Sequence, residues 1–218
     1  MQKRSLMQFS ALAVVAALLY SSWPLGFLLN PRVARTSLAS GLEALRQPYN
    51  WLFVAADILS SLIVVVLCLL LWNKYRKQTT RPHLNITLFC VVFFAFGTVV
   101  DALLPEHCVP NLMRCPSFTQ DHYLLFHGLF SIAASVMLFV ALFMSWSHKP
   151  KSPLLGSLLV GYVAFGLLSL AQAVTPTRHG NWSQDYYMTL CSLWLACLPY
   201  AASQLAKFEG YARKTMDS

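Results

Sequence analysis

The stretch GTVVDALLPEHCVPNLMRCPSFTQDHYLLFHGLFS, residues 97–131, decides how the chain is read. It leaves one apolar run past Asp101, crosses a loop carrying Cys108 and Cys115, and enters the next apolar run past His127. An ionisable side chain within a membrane-crossing segment is expensive, and its presence points by default to function. Here an acid and an imidazole face each other across one short loop.

Working outward, six apolar runs stand out, at 8–29, 51–72, 86–104, 123–146, 154–174 and 187–206. Each approaches the ~20 residues that a helix needs to cross a hydrocarbon core. Of the 218 residues, 57% are hydrophobic and only 11% charged, and the mean hydropathy is +0.55. A soluble domain is roughly 25% charged, so this chain has too little polar surface to cover a globule in water. The sequence predicts an all-α polytopic membrane protein, a bundle of six transmembrane helices forming a single integral membrane domain over 1–218. Lys3 and Arg4 precede the first run in the manner of a secretory signal. That run continues through Trp23, Pro24 and Phe27 with no clear small-x-small cleavage site, so it reads as a retained helix.

The formal charge of +8 does not point to nucleic acid. Basic residues sit in short clusters between the apolar runs, with no continuous basic patch. They read instead as topology. With the N-terminus inside, eleven Lys and Arg fall on inner segments and five on outer ones, which places both termini in the cytoplasm. Six of the eight acids fall on the outer half, Glu43, Asp57, Asp101, Glu106, Asp121 and Asp185. Acids carry little topological weight, so this bias hints at function on the outer side.

Three helices place polar groups at similar depth. Asp57 lies about six residues into the second run, with Ser60 and Ser61 on its face at i+3 and i+4. Asp101 is about one turn from the outer end of the third run. His127 is about one turn into the fourth, with Ser131 at i+4. This depth matching predicts a shared, outward-facing polar cavity with Asp57, Asp101, His127, Ser60 and Ser131 as candidate catalytic residues. Asp and His could relay a proton, or His127, Asp57 and Asp101 could hold zinc, with a serine or a water as reactant. A zinc site usually takes three protein ligands, and His127 is the one deep histidine. The competing reading is a hydrogen-bond network that fixes helix packing. Cys108 and Cys115 share an outer loop and are expected to close a disulfide in an oxidising exterior. Cys68, Cys90, Cys191 and Cys197 lie inside apolar runs and read as packing residues. No phosphate-binding Gly loop, H-E-x-x-H or G-x-S-x-G is present.

The run Ser40-Gly-Leu, then Gln47-Pro-Tyr-Asn-Trp-Leu-Phe53, resembles the bacterial and archaeal membrane family known as domain of unknown function 998. So do Asp101-Ala-Leu-Leu-Pro105, Cys108-x-Pro110, Cys115, and His127 with Ser131, over roughly residues 40–140. The resemblance implies a six-helix integral membrane protein and no established activity; the expected location is a bacterial inner (cytoplasmic) membrane, with the polar site facing the exterior. A more distant similarity is to the membrane hydrolases that include alkaline ceramidases and progestin-receptor-like proteins, which gather Ser, Asp and His around zinc. Their late-helix H-x-x-x-H is absent from the sixth run here. Two functional classes follow. The first is a hydrolase acting on a lipid or amphipathic substrate at the outer leaflet, with His127 as base or ligand and the acids orienting. The second is non-enzymatic: a binder or transporter using the buried acids for protons or a cationic solute, or a scaffold for a partner membrane enzyme.

Overall fold

The computed structural model describes residues 2–76, 82–104, 106–107, 109, 122–147, 152–174 and 182–216. Among them the regular structure is entirely helical. In chain order the α-helices are α1 (Gln2–Tyr20), α2 (Gly26–Leu29), α3 (Pro31–Thr36), α4 (Asn50–Tyr75), α5 (Pro82–Leu103), α6 (His122–Ser147), α7 (Pro153–Val174) and α8 (Trp182–Met216), with 3-10 turns at Trp23–Leu25 and Ala39–Leu42. Six spans are long and apolar enough to cross a membrane: Met7–Leu29, Asn50–Tyr75, Pro82–Leu103, Leu125–Ser147, Pro153–Gln172 and Trp182–Phe208. The chain is a multipass membrane protein. Helices are the form such runs must take, because hydrocarbon offers no partner for a backbone N–H or C=O.

The first span departs from the single helix that its hydropathy predicts. α1 stops at Tyr20, and the chain continues through Ser21 and Ser22 into the 3-10 turn and α2. Pro24 explains the position of the break. A proline lacks the N–H for the helical bond and its ring crowds the carbonyl four residues earlier, which here belongs to Tyr20.

Each long helix packs on the next in chain order, and α8 returns to α1, closing a ring; α8 also touches α4, α5 and α6. Trp194, Leu195 and Leu198 of α8 are accordingly buried in a core shared with Leu71 of α4, Val91 of α5 and Leu138 of α6. Cys68, Cys90 and Cys191 are unpaired and packed in that core, as their apolar setting predicts. Large side chains such as Phe89, Val160 and Leu167 point outward, where lipid covers them. Lipid tails are as apolar as leucine, so association rests on close packing and hydrogen bonds between helices. At Gly97 a Cβ would lie 2.8 Å from the Ala134 Cβ, so α5 and α6 approach as closely as two small residues allow. Tyr162 of α7 donates to the Ser135 carbonyl of α6 at 2.7 Å and meets the Tyr187 hydroxyl of α8 at 2.5 Å.

One end of the bundle is closed by a second, smaller core of Val33, Leu42, Ala44, Phe53 and Val109. Ala39 N donates to Gln184 Oε1 of α8 at 2.6 Å, and Asn30 Nδ2 to Gln47 Oε1 at 3.1 Å. These contacts fold the segment between α3 and α4 onto the ends of the long helices. Arg46 and Tyr49 take left-handed backbone conformations, with φ of 66° and 61°. Such a conformation costs a non-glycine residue about 1–2 kcal/mol. That strain turns the chain sharply between buried Ala44 and the start of α4.

Candidate functional site

Asp101 stands near the C-terminal end of α5, and His127 and Ser131 stand one turn apart on α6. The tight α5–α6 contact brings the three together. Ser131 Oγ donates to Asp101 Oδ2 at 2.8 Å. His127 Nδ1 lies 3.0 Å from Asp101 Oδ1 and 3.1 Å from the Leu104 carbonyl oxygen. A carbonyl only accepts, so Nδ1 is the nitrogen that carries hydrogen. Its N–H is aligned with Leu104 O, because the buried Asp101 Oδ1 has no partner in hydrogen-bond geometry. The Asp101–His127 contact is therefore an electrostatic one at short range.

The other ring nitrogen faces an acid that sequence reasoning did not select. His127 Nε2 lies 3.6 Å from Glu106 Oε1, and the Glu106 side chain is buried. Ser40 Oγ donates to the same carboxyl at 3.3 Å, and the Leu45 N–H donates to the Glu106 backbone oxygen at 2.9 Å. Burial pushes the Glu106 carboxyl above its ordinary range, with His127 and the Ser40 hydroxyl pulling partly back.

A second missed acid completes the cluster. Glu43 follows the Ala39–Leu42 turn and lies within electrostatic reach of the buried Asp57 of α4 and of Asp101. Burial, and then the nearby Asp57 and Asp101 charges, hold Glu43 well above the usual carboxylate range. Tyr20 at the end of α1 lies within electrostatic reach of both Asp57 and Asp101.

Of the residues expected from sequence, Asp101, His127 and Ser131 are in direct contact, and Asp57 joins the cluster through Glu43. Ser60 does not. It shares the Asp57 face of α4, but its hydroxyl donates to the Ala16 carbonyl of α1 at 2.8 Å, tying two helices together. Ser131 bonds to Asp101 and not to His127, so a serine–imidazole pair is not formed. Among the described residues, no three His, Cys, Asp or Glu side chains converge to hold a metal ion. The zinc set of His127, Asp57 and Asp101 does not fit as these side chains stand. Cys108 and Cys115, with their expected disulfide, lie outside the described residues, as does the placement of Asp121. Glu43 and Glu106 left one signal in the sequence, the crowding of acids onto one half of the chain. Being loop residues, they have no helical period to mark which way they face.

The chain matches the family described as "Protein of unknown function (DUF998)" over residues 13–206. No curated protein and no solved structure matches it.

Proposed function

From a chain that belongs to DUF998, a family of proteins of unknown function, we propose an outward-facing site that binds protons and exchanges them for a cationic group, in the manner of a binder or transporter. The observation that carries this reading is the crowding of acids at one end of the bundle, with Asp101 Oδ1 3.0 Å from His127 Nδ1, Glu106 Oε1 3.6 Å from His127 Nε2, and Glu43 held above the usual carboxylate range by burial and by the Asp57 and Asp101 charges beside it. A proton bound in such a cluster is one that a cation can displace. The charge balance favours the same ligand. Asp101, Glu106 and Glu43 act on one imidazole, with Asp57 beside Glu43 and Asp101, so a cation would relieve repulsion that an anion would increase. The positive-inside bias of the sequence supports an exterior position for the site, in a bacterial inner membrane.

Hydrolysis of a lipid or amphipathic substrate is the second reading. The Asp101–His127 contact favours it, since a carboxylate beside an imidazole can set the ring to activate a water. The missing Ser131–His127 bond and the Glu106 carboxylate over Nε2 rank it below ion binding.

Cells overproducing the protein separate the two. Uptake or efflux of a fluorescent monovalent organic cation is followed at mildly acidic and mildly alkaline external pH, beside total lipid composition. The proposal expects pH-dependent flux that is lost in Asp57→Asn and Glu43→Gln, with lipid species unchanged. Flux identical in wild type and both variants would refute it. A changed lipid profile that disappears in His127→Ala would install the hydrolase instead.

A further inference from the structure

Glu106 is tied at once to α6 and to the segment between α3 and α4. Its carboxyl lies 3.6 Å from His127 Nε2 and accepts from Ser40 Oγ at 3.3 Å, and its backbone oxygen accepts from the Leu45 N–H at 2.9 Å. Ser40 and Leu45 bracket Glu43, the acid that this segment brings beside Asp57 and Asp101. We propose that Glu106 is a latch: a proton held between Glu106 and His127 keeps segment 40–45 closed on the site, and loss of that proton lets the segment open and withdraws Glu43. The latch rests on the ion-binding reading of the acid cluster and adds how access to that cluster is controlled.

The proton in the gap follows from the histidine. His127 Nδ1 already donates to the Leu104 carbonyl at 3.1 Å, so a ring with one hydrogen aims the bare lone pair of Nε2 at Glu106. A lone pair and a carboxylate repel. A hydrogen on either atom removes the repulsion, giving an imidazolium beside a carboxylate or a neutral ring beside a carboxylic acid. Both forms hold one proton, and both favour the closed position. Burial raises the Glu106 carboxyl above its ordinary range. Asp101 of α5, with Oδ1 3.0 Å from Nδ1, and Glu43 of the segment also face the ring, and Asp57 of α4 stands beside Glu43. A proton bound more tightly in the closed state stabilises that state at low pH, and the gain is lost as pH rises through the closed-state pKa. The segment has a hinge at its end: Arg46 and Tyr49 hold left-handed backbone, with φ of 66° and 61°, and strain of this kind gathers at clamps and switch regions. Its flanks are anchored by Ala39 to Gln184 and by Gln47 to Asn30. Leu42 and Ala44 are buried in the small core, which limits the release to a local opening of the side that bears Ser40, Glu43 and Leu45.

The test is hydrogen–deuterium exchange of the full chain in phosphatidylcholine vesicles, from mildly acidic to alkaline pH, read as protection factors that divide out the intrinsic pH dependence of exchange. The Leu45 amide reports the latch directly, and the Val91 amide, in the central core, is the control. In the wild type, Leu45 protection should fall at least about tenfold as pH rises, with Val91 unchanged. A glutamine amide can donate to a bare Nε2 or accept from a protonated one, so Glu106→Gln should hold Leu45 at its acid-side protection throughout. Ser40→Ala spares both titrating groups; it should lower Leu45 protection about 2- to 10-fold on the acid side and keep the fall. Three results would overturn the latch: wild-type Leu45 protection flat across the range, a fall of equal size in Glu106→Gln, which places the titrating group at Glu43, or Leu45 protection untouched by Ser40→Ala. The last decides the matter where Glu106→Gln also loses protection at Val91 and so fails to fold. The readout is independent of transport. Flat cation flux with a pH-dependent Leu45 amide removes the ion-binding reading and supports the latch, whereas pH-dependent flux with a flat Leu45 amide removes the latch alone.

Discussion

Replacing Gly97 by alanine tests whether the α5–α6 contact positions the site. The new Cβ would sit 2.8 Å from the Ala134 Cβ, about 0.6 Å short of the 3.4 Å at which ordinary contact begins. Neither group can rotate away, because both are β-carbons fixed to helical backbone, so the helices must part. Asp101 is the next residue along the same face of α5, one turn on, and Ser131 lies one turn from Ala134 on α6. A separation of that size carries the 2.8 Å Asp101–Ser131 bond to the edge of hydrogen-bond range. Overpacking costs about 1–3 kcal/mol, and the weakened bond adds about 0.5–1.5 kcal/mol. Against this, alanine in place of glycine gains the helix about 0.5–1 kcal/mol. The net expectation is a loss of about 1–3 kcal/mol. At ~2–4 °C per kcal/mol for a chain of this size, Tm in mild detergent should fall by roughly 3–10 °C. The double variant Gly97→Ala with Ala134→Gly returns one methyl to the same place and should recover most of the loss. A single variant as stable as wild type, or a double variant whose effects merely add, would refute the reasoning.

Three further outcomes follow from the same contacts. Glu43 has a folded-state pKa raised above the ordinary 4.5, so its stabilising proton is fully present below that value and is lost as pH rises through the folded pKa. Thermal scans should show Tm falling as pH climbs above about 4.5, with a shallower fall in Glu43→Gln. Tyr162→Phe removes the bridge between Ser135 and Tyr187, a cost of about 0.5–1.5 kcal/mol readable as a lower denaturation midpoint. Ser60→Ala should cost about 1 kcal/mol through its lost bond to α1 and leave cation flux at the wild-type level; a loss of flux would return Ser60 to the site.

The six spans were legible in the sequence because lipid leaves a chain so few options. A long apolar run must become a helix, and only its ends are negotiable. The break at Pro24 was less legible, since hydropathy reads straight through a proline that the backbone cannot. In the site, Asp101, His127 and Ser131 were visible as groups at one depth on consecutive helices, and the small Gly97–Ala134 contact makes that depth a distance. Depth did not reveal azimuth, which is why Ser60 shares a face with Asp57 yet bonds to a different helix. Glu43 and Glu106 were hidden for another reason. Their positions depend on a small tertiary core and two strained turns, none of which has a local pattern.

The polar cluster draws on four pieces of chain, and the ribosome delivers them in order: Glu43, Asp57, Asp101 with Glu106, and last His127. Until α6 enters the bilayer, the acids have no imidazole to offset them. Asp57 follows Glu43, the acid beside it, which is already made. Asp101 must wait, since its partners His127 and Ser131 both arrive with α6. Insertion of α6 thus relieves a debt contracted one helix earlier, and a nascent chain halted after α5 holds an unneutralised carboxyl at the membrane edge, a mark by which quality-control machinery could tell it from the finished protein.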